Sequence, residues 1–184
     1  RQAEASGASL LLTPELSLWG YPPRDLLLRP SKLAEQTTVL NWLVQQLNGA
    51  CSLLVGVALP TSDPRTPTLF NSIALVDHQG WRAVARKQLL PSYDVFDERR
   101  YFRPGDGACL LPLEGGKKLG LTICEDLWVE DDLQRERLAG PDPIAALAEA
   151  KPDLMINLAA SPFDTSKPKL RRRLAGEAAA RLGC

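Results

Sequence analysis

The sequence predicts an α/β fold in which mixed strands are covered by helices. Three observations carry that reading. Apolar runs bounded by turn residues recur at 8–13, 52–59, 69–76, 117–123 and 154–158, as buried strands do. Two pairs of runs are joined by short turns, D-H-Q-G at 77–80 and E-G-G at 114–116, and read as antiparallel hairpins. Helical periodicity at 32–47, 144–150 and 169–182 supplies the crossovers that parallel strands need.

Each element has its local reason. Residues 1–6 read as the last turn of a helix, closed by Gly7 as a C-cap. The strand at 8–13 ends at Pro14-Glu15, and W-G-Y-P-P at 19–23 is a loop, because Gly20 and two prolines exclude regular structure. Leu26–Leu28 forms a helical turn. Ser31 is expected to cap the next helix, whose stripe is Leu33, Leu40, Leu43, Val44 and Leu47; Gly49 stops it. After the strand at 52–59, three prolines make 60–67 a loop. The strands at 69–76 and 81–87 follow, the second alternating bulky and polar residues. Residues 88–107 are irregular, aromatic and charged, and a loop of that length reads as a functional lid. The second hairpin spans 108–113 and 117–123. A helix at 144–150, a strand at 154–158 and an alanine- and arginine-rich helix at 169–182 complete the series.

The totals exclude several classes. With 184 residues the chain is long enough for one sizeable core. Its 22 basic and 22 acidic residues cancel, which argues against a nucleic-acid or anionic-membrane surface; Arg171–Arg173 reads as a solvated helix face. The cysteines Cys51, Cys109, Cys124 and Cys184 form no C-x-x-C pair, and reduced thiols in a cytoplasmic protein fit best. A single histidine, His78 in a hairpin turn, disfavours both a zinc site and a Cys–His enzyme. No apolar run approaches the ~20 residues of a membrane span, and the polar opening R-Q-A-E is unlike a signal peptide.

The chemistry concentrates in polar groups at strand ends. Glu15 follows L-L-L-T-P, Lys87 ends W-R-A-V-A-R-K, and Cys124 ends L-G-L-T-I-C. If these strands lie side by side in one sheet, the three side chains converge at its edge. A buried carboxylate then serves as base for the thiol, and an ammonium lowers the thiol pKa and holds an oxyanion. Each has a plainer alternative: Glu15 an acid at the start of a helix, Lys87 a snorkelling strand-end lysine, Cys124 a small buried hydrophobe. Spacing alone favours the plainer alternatives.

Longer motifs shift the balance. P-E-L-x-L-x-G-Y-P-P-x-D-L-L-L-R-P at 14–30, K-Q-x-L-P-x-Y-x-V-F-D-E-x-R-Y-F-x-P-G at 87–105, I-C-E-D-L-W at 123–128 and N-L-A-A-S-P-F at 157–163 resemble the glutaminase domain of the glutamine-dependent NAD+ synthetases. That domain belongs to the nitrilase, or carbon–nitrogen hydrolase, superfamily. The resemblance implies an α-β-β-α sandwich with mixed sheets. It implies Glu15 as general base, Lys87 as oxyanion-stabilising lysine and Cys124 as nucleophile, hydrolysing L-glutamine through a thioester. It assigns Tyr93, Phe96 and Glu98 to a lid lining the glutamine pocket, Tyr21 to a nearby loop, and Ser161 and Lys167 to the substrate's amino-acid end. It implies no cofactor for the glutaminase step. ATP, Mg2+ and deamido-NAD+ belong to a C-terminal synthetase domain, expected as partner in a cytoplasmic homo-oligomer. No phosphate-binding string of the synthetase domain occurs in 1–184, and the first and last strands implied for the sandwich are not found, so the chain reads as an internal fragment of the glutaminase domain, shortened at both ends. The competing readings are an amidase acting on another small amide and an inactive binding or assembly module.

Overall fold

A computed structural model describes residues 2–93, 96–130, 140–165 and 167–184. Its architecture is two mixed sheets, back to back, with helices on both outer faces. The first sheet has the order β1-β2-β3-β4, from Leu10–Leu12 (β1), Ser52–Pro60 (β2), Leu69–Asp77 (β3) and Gly80–Arg86 (β4). β1 runs parallel to β2, and the other pairs are antiparallel. The second sheet has the order β5-β6-β7, from Leu110–Pro112 (β5), Lys118–Ile123 (β6) and Leu154–Leu158 (β7). β5 is antiparallel to β6, and β7 is parallel to it.

Strand alternation decides which side chains meet. Along β2 and β3, Leu54, Ile73 and Leu75 face the second sheet, where they pack on Leu111, Leu119, Leu121, Ile123, Ile156 and Leu158. The opposite side chains, Leu53, Val55, Val57, Ala74 and Val76, pack on Leu40, Leu43 and Val44 of the helix α2, Pro30–Gln46, and on Leu47 at its C-cap. The second sheet's outer face carries Leu110 and Met155 against Ile144 and Leu147 of α4 (Pro143–Ala150) and Leu174, Ala178 and Leu182 of α5 (Lys167–Leu182). The layers are therefore helix, sheet, sheet, helix. Each fully buried leucine or isoleucine in them contributes about 1.5–3 kcal/mol. Two short helices complete the set among the described residues: α1 at Gln2–Ala5, closed by Gly7 at φ +74°, and α3 at Glu98–Tyr101. Among the described residues no helix is long and apolar enough to cross a membrane.

The structure corrects the sequence reading in several places. The strands form two sheets, as the α-β-β-α sandwich implied by the resemblance requires, and not the single sheet suggested by the strand ends alone. Ser31 does not cap α2: the helix begins at Pro30, whose fixed φ suits the first position, and Arg29 stands at the cap without a side-chain bond. The lid is not wholly irregular, because α3 lies within it; Asp94 and Val95 of that lid are outside the described residues. The last helix starts at Lys167, two residues earlier than its periodicity suggests.

Candidate active site

The site forms at one end of the gap between the sheets. β1 and β4 are the two edges of the first sheet, so Glu15 and Lys87 leave opposite sides of it. They meet because the chain after β1 folds back across β2. Gly56 permits the crossing: a Cβ there would stand 2.3 Å from the Pro14 carbonyl oxygen and 2.4 Å from the Leu16 nitrogen. Leu16 turns the chain with φ +48°. Glu15 thereby reaches Asn71 on β3 and Lys87 beyond β4.

Lys87 is the centre of this cluster and has no exposed surface. Its Nζ donates to Glu15 Oε1 at 2.8 Å and to Glu98 Oε1 at 2.7 Å. Glu15 Oε1 also accepts from Asn71 Nδ2 at 2.8 Å, and Oε2 from the Ala160 backbone N–H at 3.2 Å. The Tyr21 hydroxyl donates to Glu98 Oε1 at 2.7 Å, whereas Glu98 Oε2 is buried without a hydrogen-bond partner among the described residues. A buried ammonium is tolerable only when paired, and two carboxylates pair it here. Burial works against the Lys87 charge, but Glu15 and Glu98 outweigh it and hold its pKa well above the ordinary lysine value. Burial pushes the Glu98 carboxyl up, with Lys87 opposing and Glu15 reinforcing the shift. Burial likewise raises the Tyr21 phenol.

Cys124 ends β6 and opens a 3-10 turn over Cys124–Glu130. Its φ of +45° lies in the left-handed region, a strained choice for a residue with a Cβ and one that recurs at functional sites. The thiol is buried, with Sγ 3.2 Å from Ser161 Oγ. Asn157 Nδ2 donates to the Cys124 carbonyl at 3.3 Å and to Thr122 Oγ1 at 3.0 Å, tying β7 to the end of β6. Burial raises the thiol pKa well above its ordinary value; Glu15 adds to the rise and Lys87 opposes it, so both charges act on the sulfur. Two acids follow. Burial lifts Glu125 to about 7, and its Oε2 has no partner among the described residues. Burial lifts Asp126 to about 6, although backbone N–H groups counter it.

Two cavities open near the cluster. The first, about 460 Å3, is lined by Cys124, Asn157, Ser161, Phe163, Lys167 and the outer helix α5. Arg171 and Arg172, expected only on a solvated face, stand at its wall, while Arg173 pairs with Glu177 at 3.2 Å. The second, about 340 Å3, is lined by Tyr21, Phe96 and Glu98. The residues that the motifs assign to one pocket are thus divided between two. Tyr93 lines neither cavity: its ring meets Phe96 edge-on at 5.4 Å and packs beside Leu89, Leu127 and Trp128. Asn71 and the Ala160 N–H, which fix Glu15, escaped the sequence reading. The one signal for Asn71 is a lone amide within L-F-N-S-I-A-L-V.

The sequence and the fold are similar to those of known proteins. The carbon–nitrogen hydrolase family profile matches residues 1–180. Over 184 residues the chain is 38% identical to the glutamine-dependent NAD(+) synthetase of Synechocystis, covering 98% of this chain and 33% of that one. With the Thermotoga maritima protein of the same name the identity is 39%, covering 94% and 27%. The chain therefore spans about a third or less of the length of these relatives. The structure superposes on the glutamine-dependent NAD+ synthetase of Acinetobacter baumannii with a TM-score of 0.79 and 30% identity, covering 98% of this chain and 31% of that one. A nitrilase-superfamily amidase variant from Nesterenkonia shares the fold, with a TM-score of 0.72 at 23% identity over 99% of this chain and 63% of that one. From the extent of the profile match, and from the nitrilase-type sandwich that accompanies it, the chain belongs to the carbon–nitrogen hydrolase family.

Proposed function

We propose that the chain hydrolyses the side-chain amide of L-glutamine, with Cys124 as nucleophile, Glu15 as general base and acid, and Lys87 as oxyanion-stabilising cation. The observation that carries the proposal is the buried Lys87 ammonium held between Glu15 and Glu98, with its charge acting on Cys124. A raised thiol pKa keeps the resting sulfur protonated, so attack requires a base at hand.

In this mechanism Glu15 takes the Cys124 proton as sulfur attacks the amide carbon. The oxygen that gains the negative charge is held by Lys87 and by backbone N–H groups that follow Cys124. Glu15 returns the proton to the departing nitrogen, releasing ammonia and leaving a thioester. Water, deprotonated by Glu15, cleaves the thioester to glutamate and restores the thiol. Acid–base help of this kind contributes ~10²–10⁴-fold, and one oxyanion donor ~10²–10³-fold. Ser161 and Lys167, on the Cys124 cavity, are proposed to receive the amino-acid end of the substrate; Tyr21, Phe96 and Glu98 close the site from the other side. Tyr93 supports Phe96 rather than touching substrate. No cofactor is assigned to this step.

The resemblance carried by the motifs, with the name glutamine-dependent NAD(+) synthetase that the relatives share, extends the proposal. The ammonia is passed to an ATP- and Mg2+-dependent synthetase domain that converts deamido-NAD+ to NAD+, in a cytoplasmic homo-oligomer. Ammonia release from glutamine tests the hydrolytic step, with asparagine and acetamide in parallel to separate a glutaminase from a general amidase. Cys124→Ala and Glu15→Gln are each expected to lose at least ~10²-fold. Diazo-oxo-norleucine is expected to label Cys124 selectively. Undiminished ammonia release by Cys124→Ala refutes the mechanism.

A further inference from the structure

The mechanism needs the Lys87 ammonium and the Cys124 sulfur at a fixed separation, yet the two residues leave different sheets. Ladder hydrogen bonds run within a sheet and do not set the register between sheets. Apolar side chains pack the two sheets together without specifying one sliding position. Besides Glu15, which ties Asn71 and Lys87 to the Ala160 N–H beyond β7, a further polar side chain spans the gap. Asp126, 1% exposed, accepts at Oδ1 from the backbone N–H groups of Gln88 and Leu89, at 3.0 and 2.9 Å. These are the two residues after Lys87. At Oδ2 it accepts from the N–H of Ile123 at 3.0 Å, the residue before Cys124.

We propose that Asp126 is a positioning residue that staples the exit of β4 to the exit of β6 and so fixes Lys87 against Cys124. The inference rests on the Cys124–Glu15–Lys87 reading for the chemistry it serves. A carboxylate fits where an amide does not. All three partners are donors, and the NH2 of an asparagine would meet the Ile123 N–H donor to donor. Gln88 strengthens the same corner, its Nε2 donating to the Gly107 carbonyl at 3.1 Å. No substrate contact is required of Asp126, because it acts through the two strand ends it holds.

The test is Asp126→Asn in the full chain. The readout is the pH dependence of Cys124 alkylation by iodoacetamide, followed on the Cys124 peptide so that exposed Cys184 does not contribute. Glutamine kinetics and thermal melting are measured alongside. With Lys87 released from its position, the alkylation midpoint is expected to rise by about 1 pH unit. kcat is expected to fall ~10²-fold with little change in KM, as for a misplaced reacting group. Asp126→Glu keeps the charge but lengthens the arm, and is expected to fall between the wild type and Asp126→Asn on both readouts. Asp142→Ala removes the α4 cap bond to the Ala145 N–H, and is expected to lower the melting temperature without moving the midpoint. The inference is overturned if Asp126→Asn melts early while its midpoint and kcat stay at wild-type values. If Asp126→Asn does not fold, wild-type midpoint and kcat in Asp126→Glu overturn it equally. A moved midpoint in a chain that does not hydrolyse glutamine sinks the functional reading and leaves the staple standing. Hydrolysis with an unmoved midpoint sinks the staple alone.

Discussion

Replacing Gly56 with alanine tests the geometry that brings Glu15 into the site. The new Cβ would lie 2.3 Å from the Pro14 oxygen, 2.4 Å from the Leu16 nitrogen and 2.8 Å from the Glu15 carbonyl carbon, all backbone atoms that no rotamer change can move aside. Ordinary contact begins near 3.4 Å, so either the crossing segment or β2 must give by about 1 Å. Overpacking of this kind costs about 1–3 kcal/mol, or roughly 2–12 °C of melting temperature for a domain this size. β2 is held on both sides by β1 and β3, so the segment carrying Glu15 is the part that moves. With Glu15 as the proposed general base, a displacement of about 1 Å is expected to cost ~10²-fold in kcat. Glutamine hydrolysis and a thermal melt of Gly56→Ala measure both quantities. Full activity with an unchanged melting temperature would refute the argument that the Glu15 segment depends on passing closely over β2.

Other expectations follow from the buried charges. Lys87→Met strands Glu15 and Glu98 without their cation, and is expected to cost about 3–5 kcal/mol at pH 8. The loss should shrink at pH 5, where Glu98, already pushed upward by burial, takes a proton more readily; urea midpoints at the two pH values report it. Glu125 and Asp126 give the wild type a pH slope of definite sign. Their folded pKa values, about 7 and about 6, exceed their unfolded ones. Their stabilising contribution is therefore complete below pH ~4 and lost as pH rises through 6 to 7. Glu125→Gln should abolish its share of that slope and gain on the order of 2–3 kcal/mol relative to wild type at pH 8. Equal gains at pH 5 and pH 8 would show that ionisation is not the cause.

The strands and helices were legible because their residues alternate or recur with a clear period, and boundaries shifted by only a few positions. The Ser31 cap failed because Pro30 starts the helix through its own φ, a stronger signal than a hydroxyl one residue later. Glu15, Lys87 and Cys124 stood out as polar groups at strand ends, but the route by which Glu15 meets Lys87 did not. No local pattern says that the chain after β1 crosses β2, and the clue, Gly56 within V-G-V, reads equally as a strand glycine. Asn71 and Asp126 were obscure for a related reason. Each serves backbone or side-chain atoms far away in the chain, and only the packing of the two sheets brings those partners within reach. The division of the lid and strand-end residues between two cavities is likewise a property of packing.

The complete enclosure of Lys87 gives this fold a built-in footprint. Acylating reagents that modify free amines reach Lys32 and Lys117, whose side chains are 41% and 66% exposed, at once. Lys87, with none of its surface accessible, reacts only when the sheet ends part. Mass spectrometry of that single peptide therefore times the breathing of the end of the molecule where Lys87 is enclosed, in a crude lysate and without any engineered label.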